Sequence, residues 1–322
     1  MQIFKEHFIP NLSPDIAKLA FKQSINKIEM AISSYCNKRC IYCPNHVVDR
    51  NSVKHYMSDE LFLNIMNQLR SIEYSGVISI HRYNEPLADK NKALLRISSI
   101  RSFIPKANLV IYTNGDYLNK DLLLILADLG VTLINATLHS ENTTYEELIL
   151  KLKSRVEKLE LPFTFHNDTN NKSCHAQIKL GNLSLRYQVA DFFAKKDNGA
   201  MRISNRGGSI DNCSNYGRLE PCLTTFNEIQ IEYDGTLLPC CNIHSGLDIH
   251  KNYILGKLEN NGNLFVEWTN HNYVNWRKKL ITFGAKGPPC TNCEDSIVVR
   301  DTPDSRLMCD DICKMFSPPM VE

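Results

Sequence analysis

Three cysteines lie close together near the start of the chain, at Cys36, Cys40 and Cys43. Their C-x3-C-x2-C spacing puts three thiols on one short loop. Three thiolates are able to hold three irons of a cubane iron–sulfur cluster, which leaves the fourth iron without a protein ligand. A cluster that only transfers electrons normally has four protein ligands. The spacing therefore predicts a [4Fe-4S] cluster with an open iron site at which a second molecule binds.

Three other interpretations of this loop were compared with the cluster. A zinc site usually has paired C-x2-C units and four ligands, and this loop does not supply that set. Disulfides are disfavoured because a cytosol keeps thiols reduced and three cysteines so close together cannot all pair. Chance clustering is the third alternative.

A second set of cysteines lies in the C-terminal part of the chain. Cys222 and Cys240 enclose 17 residues that contain an Asp-Gly hairpin signal, and Cys290 and Cys293 form a C-x2-C pair. A hairpin, a helix and this pair would bring four thiolates together, which is enough for a cluster bound entirely by protein; a structural zinc is the alternative. Three interpretations of Cys309 and Cys313 are open: ligands of a second auxiliary site, ligands of a separate site in the tail, or thiols that bind no metal.

Length and composition limit the class of protein. The 322 residues suffice for one large or two modest domains, and a net charge of +2 gives no reason to expect nucleic acid or an anionic membrane surface as a partner. No signal peptide and no apolar run of about 18 residues is present in the sequence. We therefore expect a cytoplasmic protein, in which a total of 12 cysteines indicates metal clusters and not disulfides.

The elements that must position these cysteines alternate between strand and helix. An apolar strand at residues 28–32 leads into the first cysteine loop, and Ser58 is a predicted N-cap of a helix that ends near residue 70. This order predicts an α/β fold with a parallel sheet, whose ligands bind at the carboxyl ends of the strands. The later predicted strands are 77–82, 108–113, 132–138, 163–166 and 201–204, the helices 89–103, 119–129 and 143–159, and the hairpins 177–189 and 228–239.

The cysteine loop, with the aromatic Tyr42 before its last cysteine, resembles the signature of the radical S-adenosylmethionine (SAM) superfamily. The resemblance implies a partial (β/α)6 barrel over residues 28–212, after a lead-in of residues 1–27. It also implies that the open iron binds the amino and carboxylate groups of SAM, and that an electron from a flavodoxin- or ferredoxin-type reductant cleaves SAM to a 5′-deoxyadenosyl radical. Tyr42 would then lie against the adenine.

The ends of three predicted strands carry polar residues that fit the same family. Asn84 and Glu85 lie where the family has residues that receive the SAM ammonium, although two glycines usual at that point are absent. Thr113 and Asn114 correspond to positions near the SAM ribose or carboxylate, and His139 follows the next strand. Each has a simpler interpretation: an Asn-Glu-Pro turn, a turn after the strand, and a structural histidine.

The second cysteine set, together with the segments 255–258, 267–268 and 276–277, resembles the Twitch domain, the short form of the SPASM auxiliary-cluster domain. The resemblance implies a domain over residues 213–300 with one auxiliary [4Fe-4S] cluster, followed by a tail of residues 301–322. Motifs along residues 28–300 are similar to those of the aminocyclitol dehydrogenases of antibiotic biosynthesis, within the same superfamily. They imply that Arg206 lies beside a substrate hydroxyl; alternatively, it only anchors SAM or its own loop.

The resemblance predicts a radical SAM oxidoreductase that acts on a small polyol-like molecule, an aminocyclitol or amino sugar. The leading reaction is oxidation of a secondary alcohol to a ketone, with the auxiliary cluster as electron acceptor. An epimerase that uses Cys241 as hydrogen-atom donor is the alternative, with Cys213 as a second candidate; Cys241 is otherwise a thiol beside the cluster or a core cysteine. A peptide-modifying maturase and a non-catalytic zinc-binding module are further hypotheses.

Overall fold

The computed structural model describes residues 3–139, 143–168, 173–190, 204–210, 216–295 and 299–316. Residues 201–203 of one predicted strand, and Cys213, lie outside these ranges. Among the described residues, no helix is long and apolar enough to cross a bilayer. In chain order, the strands and helices are β1 (Lys27–Met30), β2 (Val77–Ser79), β3 (Asn108–Thr113), β4 (Val131–Thr137), β5 (Thr164–Asp168), β6 (Ser173–Leu180), β7 (Leu183–Ala190), β8 (Glu228–Ile231), β9 (Thr236–Leu238) and β10 (Gly256–Lys257), with α1 (Pro14–Ser24), α2 (Asp59–Ser71), α3 (Lys90–Phe103), α4 (Lys120–Asp128), α5 (Tyr145–Glu157), α6 (Thr224–Asn227), α7 (Leu264–Glu267), α8 (His271–Leu280) and α9 (Pro303–Phe316).

The chain divides into two compact units, and neither is one continuous segment. The first comprises residues 1–28, 58–72 and 204–322, and the second comprises residues 29–57 and 73–203. The first unit contains α1 and α2 together with the C-terminal elements from α6 onwards. The predicted boundary near residue 212 falls among residues 211–215, which are outside the described ranges, and it stays a prediction.

The second unit is built on a mixed sheet in the order β2-β3-β4-β7-β6-β5. The pairs β2–β3, β3–β4 and β4–β7 are parallel, whereas the pairs β7–β6 and β6–β5 are antiparallel. The predicted α/β class with a parallel core is therefore confirmed. The apolar residues of β3, Leu109, Val110 and Ile111, are buried, as expected for a strand covered on both faces.

The alternation of strands and helices in the sequence did not indicate which strand lies beside β4 in the sheet. Strand β5 comes next in the chain after α5, but β4 pairs in parallel with β7 instead. The outer position of β5 has a physical reason: most of its side chains are exposed, so it is suited to an edge and not to the interior. The Gly181-Asn182 turn was predicted correctly, and it brings β7 back antiparallel along β6.

Helix caps explain why the predicted helices of this region begin where they do. The Ser58 hydroxyl accepts a hydrogen bond from the Leu61 amide at 3.1 Å, and Asp89 and Asn119 make the equivalent contacts at the starts of α3 and α4. Thr144 and Glu147 form a reciprocal capping box at the start of α5. Such caps satisfy backbone amides that have no partner inside the helix, so they fix each helix terminus.

The first unit packs around Trp268, which is fully buried. Its ring lies edge-on to Phe21 of α1, with 5.6 Å between centroids, and edge-on to His7 at 5.5 Å. The Arg277 guanidinium lies 4.1 Å above the indole ring and donates a hydrogen bond to the Trp268 carbonyl. Burial and the nearby Arg277 charge lower the pKa of His7 to about 4, so this histidine is neutral at pH 7.

The hairpin of β8 and β9 gives a stability prediction. Gly235 has φ of +86°, and a Cβ there would overlap the Leu258 carbonyl oxygen. We expect Gly235→Ala to lower the free energy of unfolding by about 3 kcal/mol, since strain in the left-handed region and overpacking add. Gly181→Ala is the matched control, because its φ is +55° with open space around it; its cost should be about 1 kcal/mol. Equal losses in denaturant titrations of the two variants would contradict the steric argument.

Candidate active site

The first cysteine loop follows β1 in the second unit. Cys36, Cys40 and Cys43 are not in disulfides and each is partly exposed. The Cys43 amide donates a hydrogen bond of 2.9 Å to the Cys40 carbonyl within the loop. Burial, together with the neighbouring Glu85, Cys43 and Cys40, raises the pKa of Cys36 to about 12, although a hydrogen bond to the Lys38 backbone opposes the rise. Such a thiol keeps its proton at pH 7 unless a metal cation replaces it, because coordination by a metal removes the proton outright. The donor set therefore fits a metal cluster.

Glu85 is the centre of the predicted SAM site in the second unit. Its carboxylate is 2% exposed and accepts hydrogen bonds from the Thr113 hydroxyl and the Asn114 amide, both at 2.7 Å, and from the Leu87 amide at 3.1 Å. Burial raises its pKa, although these hydrogen bonds oppose the rise. A buried carboxylate held at a fixed angle is suited to receive an ammonium group.

The other predicted SAM residues are placed as follows. The Asn84 side chain is used within its own loop, accepting from the Arg82 amide at 2.9 Å and donating to the Ile80 carbonyl at 3.3 Å. The Tyr42 hydroxyl and His139 Nδ1 share a hydrogen bond of 2.6 Å, and Tyr42 is 6% exposed. The structure thus brings Tyr42 to His139, and Glu85 to Thr113 and Asn114. Their contacts with SAM stay predictions.

The second cysteine set lies in the first unit. Cys222, Cys240, Cys290 and Cys293 are unpaired and partly buried. Burial raises the pKa of Cys290 to about 12 and that of Cys240 well above its usual value, with neighbouring cysteine thiols adding to both shifts. The mutual effect of these thiols indicates that they lie near one another, as the ligands of one cluster must.

Within the described residues, no three His, Cys, Asp or Glu side chains are close enough to chelate a single metal ion. In a cubane cluster, each cysteine binds a different iron, so the fit of both cysteine sets rests on their number and chemistry. Cys241 is exposed, and the interpretation as a core cysteine is wrong. In α9, Cys309 is buried and Cys313 is half-buried; their role stays open.

Arg206 lies in the first unit, in a strained turn. Its φ is +48°, in the left-handed region that only glycine adopts without cost, and Gly207 and Gly208 follow with φ of +65° and +86°. Its guanidinium donates to Asn242 Oδ1 at 3.5 Å, and Asn242 Nδ2 lies 3.8 Å from Cys293 Sγ. Backbone strain of this kind is concentrated at functional sites.

Sequence reasoning missed two residues around Cys293. Asn242 follows Cys241 directly, but nothing in that position indicated the contact with Cys293. Arg218 is 1% exposed, donates to Cys293 Sγ at 3.7 Å, and also holds the Asp295 carbonyl at 2.6 Å. It lies 75 residues from Cys293 in the chain, and a lone arginine carries no local signal.

Two protein-family models and a dehydrogenase sequence match parts of this chain. Residues 30–160 match the model of the Radical SAM superfamily, and residues 222–294 match that of SPASM, an iron-sulfur cluster-binding domain. A S-adenosyl-L-methionine-dependent 2-deoxy-scyllo-inosamine dehydrogenase of Niallia circulans is 27% identical over 273 residues, which span 83% of this chain and 92% of that protein.

Two solved structures resemble the fold. BtrN in complex with AdoMet and 2-DOIA is 26% identical, with a TM-score of 0.55 over 80% of this chain and 87% of that one. Native anSMEcpe with bound AdoMet, at 13% identity, has a TM-score of 0.51 over 90% of this chain and 96% of that one, which is a likeness of fold alone. The resemblance inferred from the cysteine motifs is thereby confirmed, together with the expected SAM and iron–sulfur cofactors.

Proposed function

We propose that this chain, a radical SAM enzyme with a SPASM-type iron–sulfur domain, oxidises a secondary alcohol of an aminocyclitol or amino sugar to a ketone. The name of the relative from Niallia circulans, a dehydrogenase of 2-deoxy-scyllo-inosamine, supports this substrate class. When bound, the open-site cluster and SAM supply a 5′-deoxyadenosyl radical. That radical would take a hydrogen atom from the alcohol carbon, and the hydroxyl would then lose its proton.

One electron remains on the substrate after these steps, and its removal completes the ketone. We assign the auxiliary cluster as its acceptor. SAM cleavage would consume one electron and substrate oxidation would return one, so the conversion of alcohol and SAM to ketone, methionine, 5′-deoxyadenosine and one proton is balanced overall. A flavodoxin- or ferredoxin-type protein is the proposed source of the first electron.

The observation that carries this proposal is the contact sequence from Arg206 through Asn242 to Cys293. A single amide side chain separates the arginine proposed to face the hydroxyl from a proposed ligand of the auxiliary cluster. A fixed guanidinium stabilises negative charge that develops on the substrate oxygen as its proton leaves. An electron leaving the alcohol carbon of the substrate would then have a short path to the auxiliary cluster.

The buried Arg218 supports the same direction of electron flow. Hydrogen bonds to cluster sulfurs and nearby charge both set the reduction potential of a cluster. The Arg218 guanidinium supplies a positive charge and an N–H donor directly at Cys293 Sγ. Both stabilise the more negative, reduced state, which is the state an electron acceptor must reach.

The test is product mass after anaerobic turnover with reductant, SAM and a panel of aminocyclitols and amino sugars, run in parallel in H2O and D2O. A loss of two mass units in H2O supports dehydrogenation. A product of unchanged formula that gains one unit in D2O would overturn it in favour of epimerisation, for which the exposed Cys241 thiol is an accessible donor. If 5′-deoxyadenosine forms but no panel compound changes, the proposed substrate class fails.

Arg206→Asn tests the role of the guanidinium. Asparagine tolerates the left-handed backbone at φ +48°, so the turn keeps its shape while the charge is removed. We expect kcat for ketone formation to fall about 10²–10³-fold, the usual effect of losing one donor to a developing oxyanion. Substrate-free formation of 5′-deoxyadenosine should persist. Unchanged ketone formation would show that Arg206 only anchors its own loop.

A further inference from the structure

Asp116, at the carboxyl end of β3, holds the first cysteine loop directly. The two residues that follow Cys36 both contact the Asp116 carboxylate. Asn37 Nδ2 donates to Asp116 Oδ2 at 2.9 Å, and Lys38 Nζ donates to the same oxygen at 2.8 Å. Asn37 and Lys38 lie between the first two cysteines of the loop. One carboxylate therefore fixes the span from Cys36 to Cys40 at two successive side chains.

The other oxygen of the Asp116 carboxylate is held by helix α5. Arg155 of α5 places its guanidinium 2.8 Å from Asp116 Oδ1 and also contacts the Tyr187 hydroxyl of β7 at 3.2 Å. Burial alone would raise the pKa of Asp116, but hydrogen bonds from Lys38, Arg155 and Asn37 outweigh it and lower that pKa. The carboxylate is thus ionised at pH 7 and bound on both sides.

The same network includes the turn that carries the predicted SAM residues. Asn114 Nδ2 donates to Asn37 Oδ1 at 2.7 Å, and the Asp116 amide donates to Asn114 Oδ1 at 3.0 Å. The Asn114 amide is bound to Glu85 at 2.7 Å. The turn is able to lie close to β7 because Gly115 has no side chain. Its φ is +76°, and a Cβ there would overlap the Tyr187 hydroxyl.

We propose that Asp116 is a positioning residue that sets the Cys36–Cys40 loop at a fixed place relative to the SAM-binding turn. Its carboxylate contacts Asn37, Lys38 and Arg155, and it acts on the ligands through the first two. Polar groups that orient the ligands of a metal in this way typically contribute 10–100-fold to metal affinity or activity. The proposal rests on the radical SAM domain alone and not on the substrate proposed above.

The test uses the reconstituted full-length protein without substrate. Asp116→Asn keeps the shape of the side chain and removes its charge. We expect the SAM concentration that gives half of the SAM-dependent change in the EPR spectrum of the reduced cluster to rise about 10–100-fold. Lys38→Gln should produce a shift of the same kind. The double variant should be little worse than Asp116→Asn alone, because both changes remove one shared contact.

Glu160→Gln is the matched control, since it breaks the exposed Lys120–Glu160 ion pair of 3.7 Å in the same unit and should leave the SAM titration unchanged. The proposal is overturned if Asp116→Asn responds to SAM as the parent does, or if its effect and that of Lys38→Gln are simply additive. If Asp116→Asn does not fold, Lys38→Gln decides alone, because Lys38 is partly exposed. Ketone formation plays no part in this readout, so its failure and that of the proposed function are separable.

Discussion

Cys36→Ala, Cys40→Ala and Cys43→Ala are each expected to abolish the cleavage of SAM to 5′-deoxyadenosine. Each change leaves two thiolates for a cluster that needs three, and it removes a ligand itself. The loss should therefore exceed the roughly 10–100-fold that removal of an outer hydrogen-bond partner costs. The measurement is 5′-deoxyadenosine formed under anaerobic conditions with dithionite, together with the iron content of each variant.

Cys174→Ala is the control for these three variants. Cys174 is a buried cysteine of the same unit, on β6, and belongs to neither predicted ligand set. Its replacement should cost about 1 kcal/mol of unfolding free energy from the small cavity and leave SAM cleavage intact. Full cleavage in any of the three loop variants would disprove the assignment of that cysteine as a cluster ligand.

The sequence was sufficient for features that are set by neighbouring residues. Helix starts at Ser58, Asp89, Asn119 and Thr144 follow from side chains that cap the next turn of the same helix. The two hairpins follow from Gly-Asn and Asp-Gly turns. The spacing of Cys36, Cys40 and Cys43 carries its chemistry within one loop, and for that reason the superfamily could be identified before any tertiary contact was known.

Strand order was not predictable in the same way. A strand pattern specifies which side chains are buried but not the neighbour or the direction of pairing. In β7, the alternating residues Leu183, Leu185, Tyr187 and Val189 are buried, which fits an interior strand. The strand beside β4 is nevertheless fixed only by the parallel pairing of β4 with β7, which joins segments more than forty residues apart in the chain. Nothing within either segment indicates that β7, and not β5, takes this position. That choice depends on the total burial of the sheet.

The side-chain contacts around the two cysteine sets could not be predicted from the sequence for a related reason. Asn37 and Asp116 are 79 residues apart in the chain, and Asn242 and Cys293 are 51 apart. Asp116 lies two residues after Asn114, beyond the end of a predicted strand, yet nothing local gave it a role. Residues that act through others have no fixed spacing to the chemistry, so they are found only when the fold brings them together.

Cys222→Ala is expected to separate SAM cleavage from ketone formation. Its thiol is one of the four proposed ligands of the auxiliary cluster, and its amide is bound to the Leu280 carbonyl at 2.9 Å, so the backbone should stay in place without the sulfur. We expect iron content to fall by about one [4Fe-4S] cluster. The first cysteine loop and its SAM-dependent EPR change should be retained, since they belong to the other unit.

Ketone formation should be lost in this variant, because the substrate radical would have no acceptor for its remaining electron. Cys309→Ala, at a buried cysteine of α9 in the same unit, is the comparison; additional iron loss there would indicate a ligand in the tail. If Cys222→Ala kept the parent's iron content, the ligand set would be wrong. If it lost a cluster but still made ketone at the parent's rate, the auxiliary cluster would not be the electron acceptor, and the electron path through Arg206, Asn242 and Cys293 would have to be abandoned.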